Sequence, residues 1–145
     1  MKLLERIDIL SQIGLTDGGI CRRSGSKEDQ EARDLVVRWM MEDGLSVHND
    51  EHGNIIGRLD GEGPPIVTGS HIDTVSTAGK YDGVLGVLSG LEAARTLKDY
   101  LIGPLEVVVF NDEEDTMRGS IGYTKDRPDI KAFLEVHVEQ GPVLD

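Results

Sequence analysis

A nearly continuous apolar run, LEVVVF at residues 105–110, constrains the fold of this chain more than any other feature. Such a run predicts a strand that is covered on both faces. A second apolar run lies at residues 66–69, and apolar residues at helical spacing predict a helix at 84–100 between the two. The order strand, helix, strand predicts a crossover unit whose two strands lie parallel and end at the same edge of one sheet. We therefore expect an α/β fold with helices flanking the sheet.

The sequence upstream of this unit predicts two helices and two strands. Apolar residues at steps of three and four predict a first helix that ends at Gly14. A second helix is predicted at 27–43, because Ser26 can cap its first turn. Short β-like runs at 45–48 and 54–59 are separated by glycines and prolines, which predicts strands joined by turns. No internal repeat or linker divides the chain, so we expect a single domain.

The net charge excludes two classes of partner. The chain has 145 residues with 15 Lys and Arg against 27 Asp and Glu, a formal charge of −12, and its only tight basic pair is Arg22-Arg23. Nucleic acids and anionic membranes require a basic surface, so neither is an expected partner. The single cysteine, Cys21, excludes an intrachain disulfide and a thiolate metal cage. The charged amino-terminal stretch is unlike a signal peptide and no segment is apolar enough to span a membrane, so we expect a cytoplasmic protein.

Polar residues follow the predicted strands at the points where these strands end. Ser-His-Ile-Asp at 70–73 follows one strand, and Asn-Asp-Glu-Glu-Asp at 111–115 follows another. Residues 135–139, Glu-Val-His-Val-Glu, lie within a late alternating run that predicts a further strand. Ligands of open α/β sheets bind at the carboxyl edge of the strands, so we expect these groups to face one crevice.

Two carboxylates are candidates for a site around His71. In an extended His71-Ile72-Asp73 segment the imidazole and the carboxylate point to the same side, so Asp73 can orient the ring for a metal. The alternative is a surface histidine at a capped strand end. Asp82 lies between glycines before the third predicted helix, where it is either a ligand or the helix N-cap.

The Glu113-Glu114 pair and His137 complete the candidate residues. Adjacent side chains at a strand end diverge, so one carboxylate can bind a metal while the other holds a water and moves its proton. The alternative for this pair is a solvated acidic turn, and the alternative for His137 is a core histidine whose polar atoms are satisfied. Together these imidazoles and carboxylates form the ligand set of zinc, or of manganese, cobalt or nickel. Two ions bridged by Asp82 would share one hydroxide, which is a hydrolase arrangement.

Four ordered motifs carry a resemblance to a known family: GSHIDTV, GKYDGVLGVLSGLEAARTL, LEVVVFNDEED and FLEVHVEQGPVLD. They resemble the M20-type zinc amidohydrolases of the hydantoinase/carbamoylase group, which includes N-carbamoyl-L-amino-acid hydrolases, allantoate amidohydrolases and β-ureidopropionases. Upstream segments are also similar, so the likeness covers nearly the whole chain. The resemblance implies a mixed, largely parallel sheet flanked by helices, as in the zinc-dependent exopeptidase catalytic domain. Residues 1–145 would be a truncated part of that domain, with the lid or dimerisation domain absent.

The resemblance also implies a role for each matching residue. The ligands of two divalent ions, zinc or manganese, would be His71, Asp82, Glu114 and His137, with Asp82 bridging the ions. Glu113 would be the general base, and Asp73 would orient His71. Gln140 would contact the substrate. By resemblance, a metal-bridged water deprotonated by Glu113 attacks the amide or ureido carbonyl of an N-carbamoyl-amino acid or of a ureide such as allantoate.

Two departures from the family leave a second interpretation open. Glu114 and His137 are 23 positions apart, whereas relatives place several dozen more residues between them. The chain also ends at Asp145, before a later histidine and the lid groups of the family. The alternative is therefore a catalytically inactive remnant that binds metal or a protein partner, and its exposed apolar surface predicts self-association, for example as a homodimer. A nucleotide-binding module is disfavoured, because the chain has neither a GxGxxG nor a GxxxxGK[ST] motif.

Overall fold

The computed structural model of the protein describes residues 2–139. In chain order, its elements are α1 (Lys2–Leu10), β1 (Leu15–Thr16), β2 (Gly19–Ile20), α2 (Lys27–Glu42), β3 (Ser46–Asn49), β4 (Ile55–Leu59), β5 (Ile66–His71), α3 (Val84–Leu97), a 3-10 turn (Lys98–Tyr100), β6 (Leu105–Phe110), α4 (Arg118–Asp126) and β7 (Ala132–Leu134). β1 and β2 form a small hairpin, and the other five strands form one sheet in the order β3-β4-β6-β5-β7. Within residues 2–139, no helix is both long and apolar enough to cross a membrane.

The sheet is mixed, and its parallel strands provide the edge at which the candidate ligands lie. β5 pairs in parallel with both β6 and β7, whereas β4 pairs in antiparallel fashion with β3 and β6. All six residues of β6 are buried, as the apolar run predicts. α3 connects β5 to β6 as a crossover helix. The prediction of an α/β fold with a mixed sheet flanked by helices is confirmed.

Alternate residues of β6 divide the core between the two faces of the sheet. Val107 and Val109 belong to the larger cluster, to which α1, α2 and α3 add buried apolar side chains. Val108 and Phe110 belong to a smaller cluster on the other face, where Tyr123 of α4 packs. Among the described residues, α4 supplies the helical cover of this second face.

The predicted helices differ from the structure mainly at their ends. α1 ends at Leu10, and a series of turns follows before Gly14, whose φ is +78°. Ser26 accepts a hydrogen bond from the backbone amide of Asp29 at 3.1 Å, so it caps α2 as predicted. α4 is absent from the prediction because its sequence, RGSIGYTKD, contains two glycines and other weak helix formers.

The strand predicted around residues 135–139 is wrong in its position. β7 covers Ala132–Leu134, and its pairing with β5 stops where Leu134 lies opposite Thr68. The next residue of β5 is Gly69, whose φ of +144° lies outside the range of a regular strand. Residues 135–139 therefore continue past the end of the ladder as an irregular segment.

Gly69 should not tolerate a side chain. A Cβ at this position would lie 2.0 Å from the carbonyl oxygen of Val108, and the positive φ adds backbone strain. We expect Gly69→Ala to lower the free energy of unfolding by about 3 kcal/mol or more. Gly63 also has a positive φ, +90°, but no atom lies within 4 Å of a Cβ there, so Gly63→Ala should cost only about 1 kcal/mol. Urea denaturation followed by circular dichroism measures both losses, and equal values would contradict the steric explanation.

Candidate metal centre

The structure brings the predicted ligands to one edge of the sheet. His71 is the last residue of β5, Glu114 follows β6, and His137 lies beyond β7. The carboxyl ends of three parallel strands therefore each contribute one group. Asp82 comes from the loop that precedes α3. This convergence is typical of open α/β sheets, in which ligands bind beyond the carboxyl ends of the strands.

Asp82 lies at the centre of this group. Its Oδ1 atom is 3.6 Å from Nε2 of His137 and 3.9 Å from Nε2 of His71. The Oε1 atom of Glu114 is 3.9 Å from the same His71 nitrogen. One ligand atom from each of His71, Asp82 and His137 lies within 4.8 Å of the other two, and the imidazole rings stack with their centroids 5.9 Å apart. A single ion can therefore contact two histidines and a carboxylate.

The surroundings of these residues exclude the structural alternatives. Asp82 does not cap α3, because Gly83 is the N-cap and no side-chain capping bond is formed. The Oδ1 atom of Asp82 is instead buried without a hydrogen-bond partner. His71 is only 5% exposed, so it is not a surface histidine. The side chain of His137 is 34% exposed, so it is not a core histidine either.

Gly83 allows the Asp82 loop to lie against His71. Its φ is +62°, and a Cβ at this position would lie 2.6 Å from Nε2 of His71. A larger residue would therefore displace the imidazole ring from the centre. The glycine that directly follows Asp82 is the sequence signal for this close approach.

The ring of His71 lies closer to the backbone carbonyl of Asp73 than to the carboxylate that is predicted to orient it. Nδ1 of His71 lies 3.0 Å from the backbone carbonyl oxygen of Asp73, whereas the Oδ1 atom of the Asp73 carboxylate is 3.7 Å away. With the Nδ1 proton donated to that carbonyl, Nε2 carries the lone pair that faces Asp82. The Asp73 carboxylate instead accepts a hydrogen bond from the backbone amide of Glu114 at 3.1 Å, which fixes the turn after β6.

Arg22 supports the loop that follows β5, although the sequence suggests only a surface basic pair. Its side chain is almost fully buried, and Nε donates a hydrogen bond to the carbonyl of Ile72 at 2.9 Å. Nη1 donates to the carbonyl oxygens of Leu10 and Ile13 at 3.2 and 2.9 Å. Burial lowers the pKa of Arg22, and the charges of nearby carboxylates oppose this effect. The guanidinium therefore joins the end of α1 to the segment between His71 and Asp73.

Glu113 and Glu114 occupy different surroundings, as adjacent residues after a strand are expected to do. Glu114 approaches His71, and burial, followed by repulsion from the Asp82 carboxylate, raises its pKa. Glu113 lines a cavity of about 500 Å³ beside the ligands, which His71 and His137 also line. The Oε2 atom of Glu113 is buried and has no hydrogen-bond partner. Such a free carboxylate oxygen is suited to hold a water and accept its proton.

Contacts from Ser70 and Gly86 help to hold the segment that carries His137. Oγ of Ser70 donates a hydrogen bond to Oε1 of Glu135 at 2.5 Å. Gly86 of α3 lies so close that a Cβ there would be 2.8 Å from the carbonyl oxygen of Val136. Because the ladder between β5 and β7 has already ended, these contacts contribute to the position of His137. The roles of Ser70 and Glu135 have no signal in the sequence beyond their place in the motifs.

The donor set fits a divalent metal ion. Imidazole nitrogens and carboxylate oxygens are ligands that zinc binds and that manganese, cobalt and nickel also accept. Buried carboxylate oxygens without partners, in Asp73, Asp82 and Glu113, give the centre an excess of negative charge. A bound cation offsets the cost of burying such charge. Gln140, the predicted substrate contact, lies outside the described residues.

Comparison with known proteins identifies the family. The sequence model of peptidase family M20/M25/M40 matches residues 67–145. This chain belongs to that family. It is 35% identical to an N-carbamoyl-L-amino-acid amidohydrolase from Pseudomonas sp. (strain NS671) and 34% identical to an allantoate amidohydrolase from Bacillus subtilis (strain 168), in both cases over 99% of this chain. The matches cover 47% and 46% of these relatives, so the chain spans about half their length.

The fold of this M20 chain is also similar to that of a solved structure. A hydantoinase/carbamoylase family amidase from Burkholderia ambifaria matches it with a TM-score of 0.90 and 32% sequence identity, over 99% of this chain and 46% of that one. The alignment with the Pseudomonas enzyme extends over 194 positions and this chain has 145 residues, so the relative contains at least 49 residues without a counterpart here. The short segment between Glu114 and His137 is the predicted place of this difference.

The centre should retain a divalent metal through its histidine and aspartate ligands. After zinc loading and dialysis against a weak chelator, we expect the unmodified chain to keep zinc. His71→Ala and Asp82→Ala should lose it, because each removes one ligand. His48→Ala is the control. This exposed histidine lies on β3, which is the outer strand on the side of the sheet away from β5 and β7. Metal content is read by plasma mass spectrometry, and equal zinc in all four proteins would exclude the centre.

The hydrogen bond between Ser70 and Glu135 should affect metal affinity through the position of His137. We expect Glu135→Ala to weaken zinc binding by about tenfold, whereas Glu135→Gln keeps an acceptor oxygen and stays near the unmodified affinity. Ser70→Ala should give a similar loss, and the double alanine variant should lose no more than either single variant. Competition with a zinc-binding dye measures these affinities. Additive losses would show that the two residues act independently.

Proposed function

We propose that this chain carries the metal ligands and the proton-transfer group of an amidohydrolase. The reaction is hydrolysis of the linear amide or ureido C–N bond of N-carbamoyl-amino acids or of related ureides such as allantoate. The observation that carries this proposal is the unpaired, buried carboxylate oxygen of Glu113 beside the candidate ligands. The M20 family and the amidohydrolase relatives support it. Residues 1–145 would form part of the catalytic domain.

Two divalent ions, zinc or manganese, are the proposed cofactors. The residues that would hold them are His71, Asp82, Glu114 and His137. Oδ1 of Asp82 is 3.9 Å from Nε2 of His71 and 3.6 Å from Nε2 of His137, and this closeness to both imidazoles supports its proposed role as the shared ligand. When bound, such ions polarise a carbonyl oxygen and lower the pKa of water.

Glu113 is the proposed general base and general acid. Its unpaired Oε2 atom takes the proton of the attacking water and returns it to the leaving nitrogen when the C–N bond breaks. The backbone carbonyl of Asp73 holds the tautomer of His71, and the Asp73 carboxylate holds the turn that carries the two glutamates. Gln140 is the proposed substrate contact. A carbamoyl substrate would yield ammonia and carbon dioxide.

A second candidate is an inactive chain that binds a metal or a protein partner through the same scaffold. The observation that favours it is the set of at least 49 residues that the aligned Pseudomonas enzyme has in addition. Phe133, Leu134 and Val136 are 39%, 58% and 50% exposed, and such apolar surface supports self-association as a homodimer. Light scattering at increasing concentration tests that assembly. The free thiol of Cys21 supports a reducing, cytoplasmic setting for either candidate.

Ammonia release separates the two candidates. The zinc- or manganese-loaded chain is assayed with N-carbamoyl amino acids, allantoate and ureidoglycolate. We expect turnover that falls at least about 100-fold in Glu113→Gln, because an amide cannot accept the proton of water. Glu62→Gln, at an exposed acidic residue in the turn between β4 and β5, is the matched control and should leave turnover unchanged.

Two results would contradict the proposed function. Absence of ammonia from every substrate in the metal-loaded chain would favour the inactive candidate. Turnover that survives in Glu113→Gln would remove this residue from the reaction. Metal content is measured in each variant, so that a lost ion is not mistaken for a lost proton-transfer group.

A further inference from the structure

A second group of metal-ligand residues lies outside the candidate centre, where the end of α4 meets the turn between β3 and β4. It consists of Glu51, His52 and Asp126. One ligand atom of each residue lies within 4.8 Å of the other two. Glu51 and His52 belong to the turn, and Asp126 is the last residue of α4. The proposed reaction uses none of these three side chains.

A single nitrogen atom of His52 faces both carboxylates. Nε2 lies 2.6 Å from Oδ2 of Asp126 and 3.9 Å from Oε1 of Glu51. An ion bound to that nitrogen can therefore also contact an oxygen from the turn and an oxygen from the helix. One imidazole and two carboxylates form a ligand set that zinc and similar divalent transition ions accept.

The surroundings of His52 hold its ring in this orientation. A Cβ at Gly122 of α4 would lie 2.4 Å from Nδ1, so the helix packs directly against that side of the ring. The backbone amide of His52 donates a hydrogen bond to Asp50 at 2.9 Å, and its carbonyl oxygen accepts one from the side chain of Asn111 at 2.9 Å. Both the backbone and the ring are thus fixed while Nε2 faces the carboxylates.

The charged side chains around this group favour a cation. A cavity of about 290 Å³ lies beside the group and is lined by the carboxylates of Asp50, Glu51 and Asp126 and by the guanidinium of Arg127. Lys125 adjoins Asp126 in the sequence, but it is exposed, so water and salt screen its charge. Three carboxylates therefore stand against two cations.

Arg127 and Asp50 are already engaged with other groups. Nε of Arg127 donates a hydrogen bond to Asp129 at 2.8 Å, and Nη1 donates one to Glu106 at 2.9 Å. Asp50 accepts hydrogen bonds from the backbone and side-chain amides of Asn54 at 2.8 and 2.7 Å. Two other carboxylates thus offset the charge of Arg127, and Asp50 adds negative charge without being a ligand.

We propose that Glu51, His52 and Asp126 form a second site for zinc or a similar divalent transition ion, which joins the end of α4 to the turn between β3 and β4. α4 consists of weak helix formers and depends on tertiary contacts, so a bound ion at its last residue would stabilise it. The side chains of Glu51 and Asp126 are 80% and 43% exposed. The site is therefore weaker than the buried centre, and dialysis against a weak chelator empties it.

Zinc titration of a chain without the first centre tests the second site. In the His71→Ala, Asp82→Ala double variant, we expect titration calorimetry to detect one bound zinc per chain. Adding Asp126→Asn should weaken this binding by at least about tenfold, because it removes a charged ligand. Adding Asp99→Asn is the matched control, since it removes the same charge from an exposed residue of the 3-10 turn and should leave the affinity unchanged.

Thermal unfolding separates a metal site from a simple ion pair between His52 and Asp126. Zinc at about 100 times its dissociation constant should raise the Tm of the double variant by at least about 5 °C. The same zinc should raise the Tm far less after Asp126→Asn, whereas an ion pair alone predicts no dependence on zinc. Glu51→Gln changes an exposed side chain and serves as the second ligand variant if Asp126→Asn does not fold.

Three results would overturn the inference. They are absence of zinc binding in the double variant, equal zinc affinity after the ligand substitution and after Asp99→Asn, and a Tm that zinc raises equally in those two chains. The test requires no turnover, so its outcome is independent of the proposed function.

Discussion

Buried negative charge at the carboxyl edge of the sheet is the constraint on which the rest of the structure depends. Asp73, Asp82 and Glu113 each keep one oxygen buried without a hydrogen-bond partner, in a chain whose net charge is −12. An ionised group in such a position is costly unless an opposite charge lies beside it. A cation bound at this edge would offset the cost of burying these oxygens. Binding of such a cation would then be coupled to the conformation of this edge.

Close approaches of the backbone make this concentration of ligands feasible. Gly83 brings the Asp82 loop against the imidazole of His71, and Gly86 brings α3 against the segment that carries His137. The parallel strands fix where the ligand-bearing segments begin. Gly83 and Gly86 have no side chains, so the Asp82 loop and α3 can lie close to those segments. The precision of the centre thus comes from backbone packing as much as from the ligands themselves.

Sequence patterns predict those elements whose signals are local. The buried strand β6 is a continuous apolar run, and α2 has a capping serine, so both are predictable and both are observed. The ends of predicted strands also place His71 and Glu114 at one edge. Contacts between distant segments leave no such signal, so the early end of β7 does not follow from the sequence. The contact between His71 and the carbonyl of Asp73 is local, but it depends on the exact path of the backbone after β5. α4 is built from weak helix formers and depends on tertiary contacts such as those of Tyr123.

Arg22 joins parts of the chain that lie far apart in the sequence. A single guanidinium donates hydrogen bonds to the carbonyls of Leu10, Ile13 and Ile72, which lie up to 62 positions apart in the sequence. The compact ammonium of lysine cannot reproduce this planar, forked set of donors. A disturbance of the first helix is therefore transmitted to the backbone beside His71. A substitution that shifts the first helix would therefore also shift the backbone beside His71, although it touches none of the candidate metal ligands.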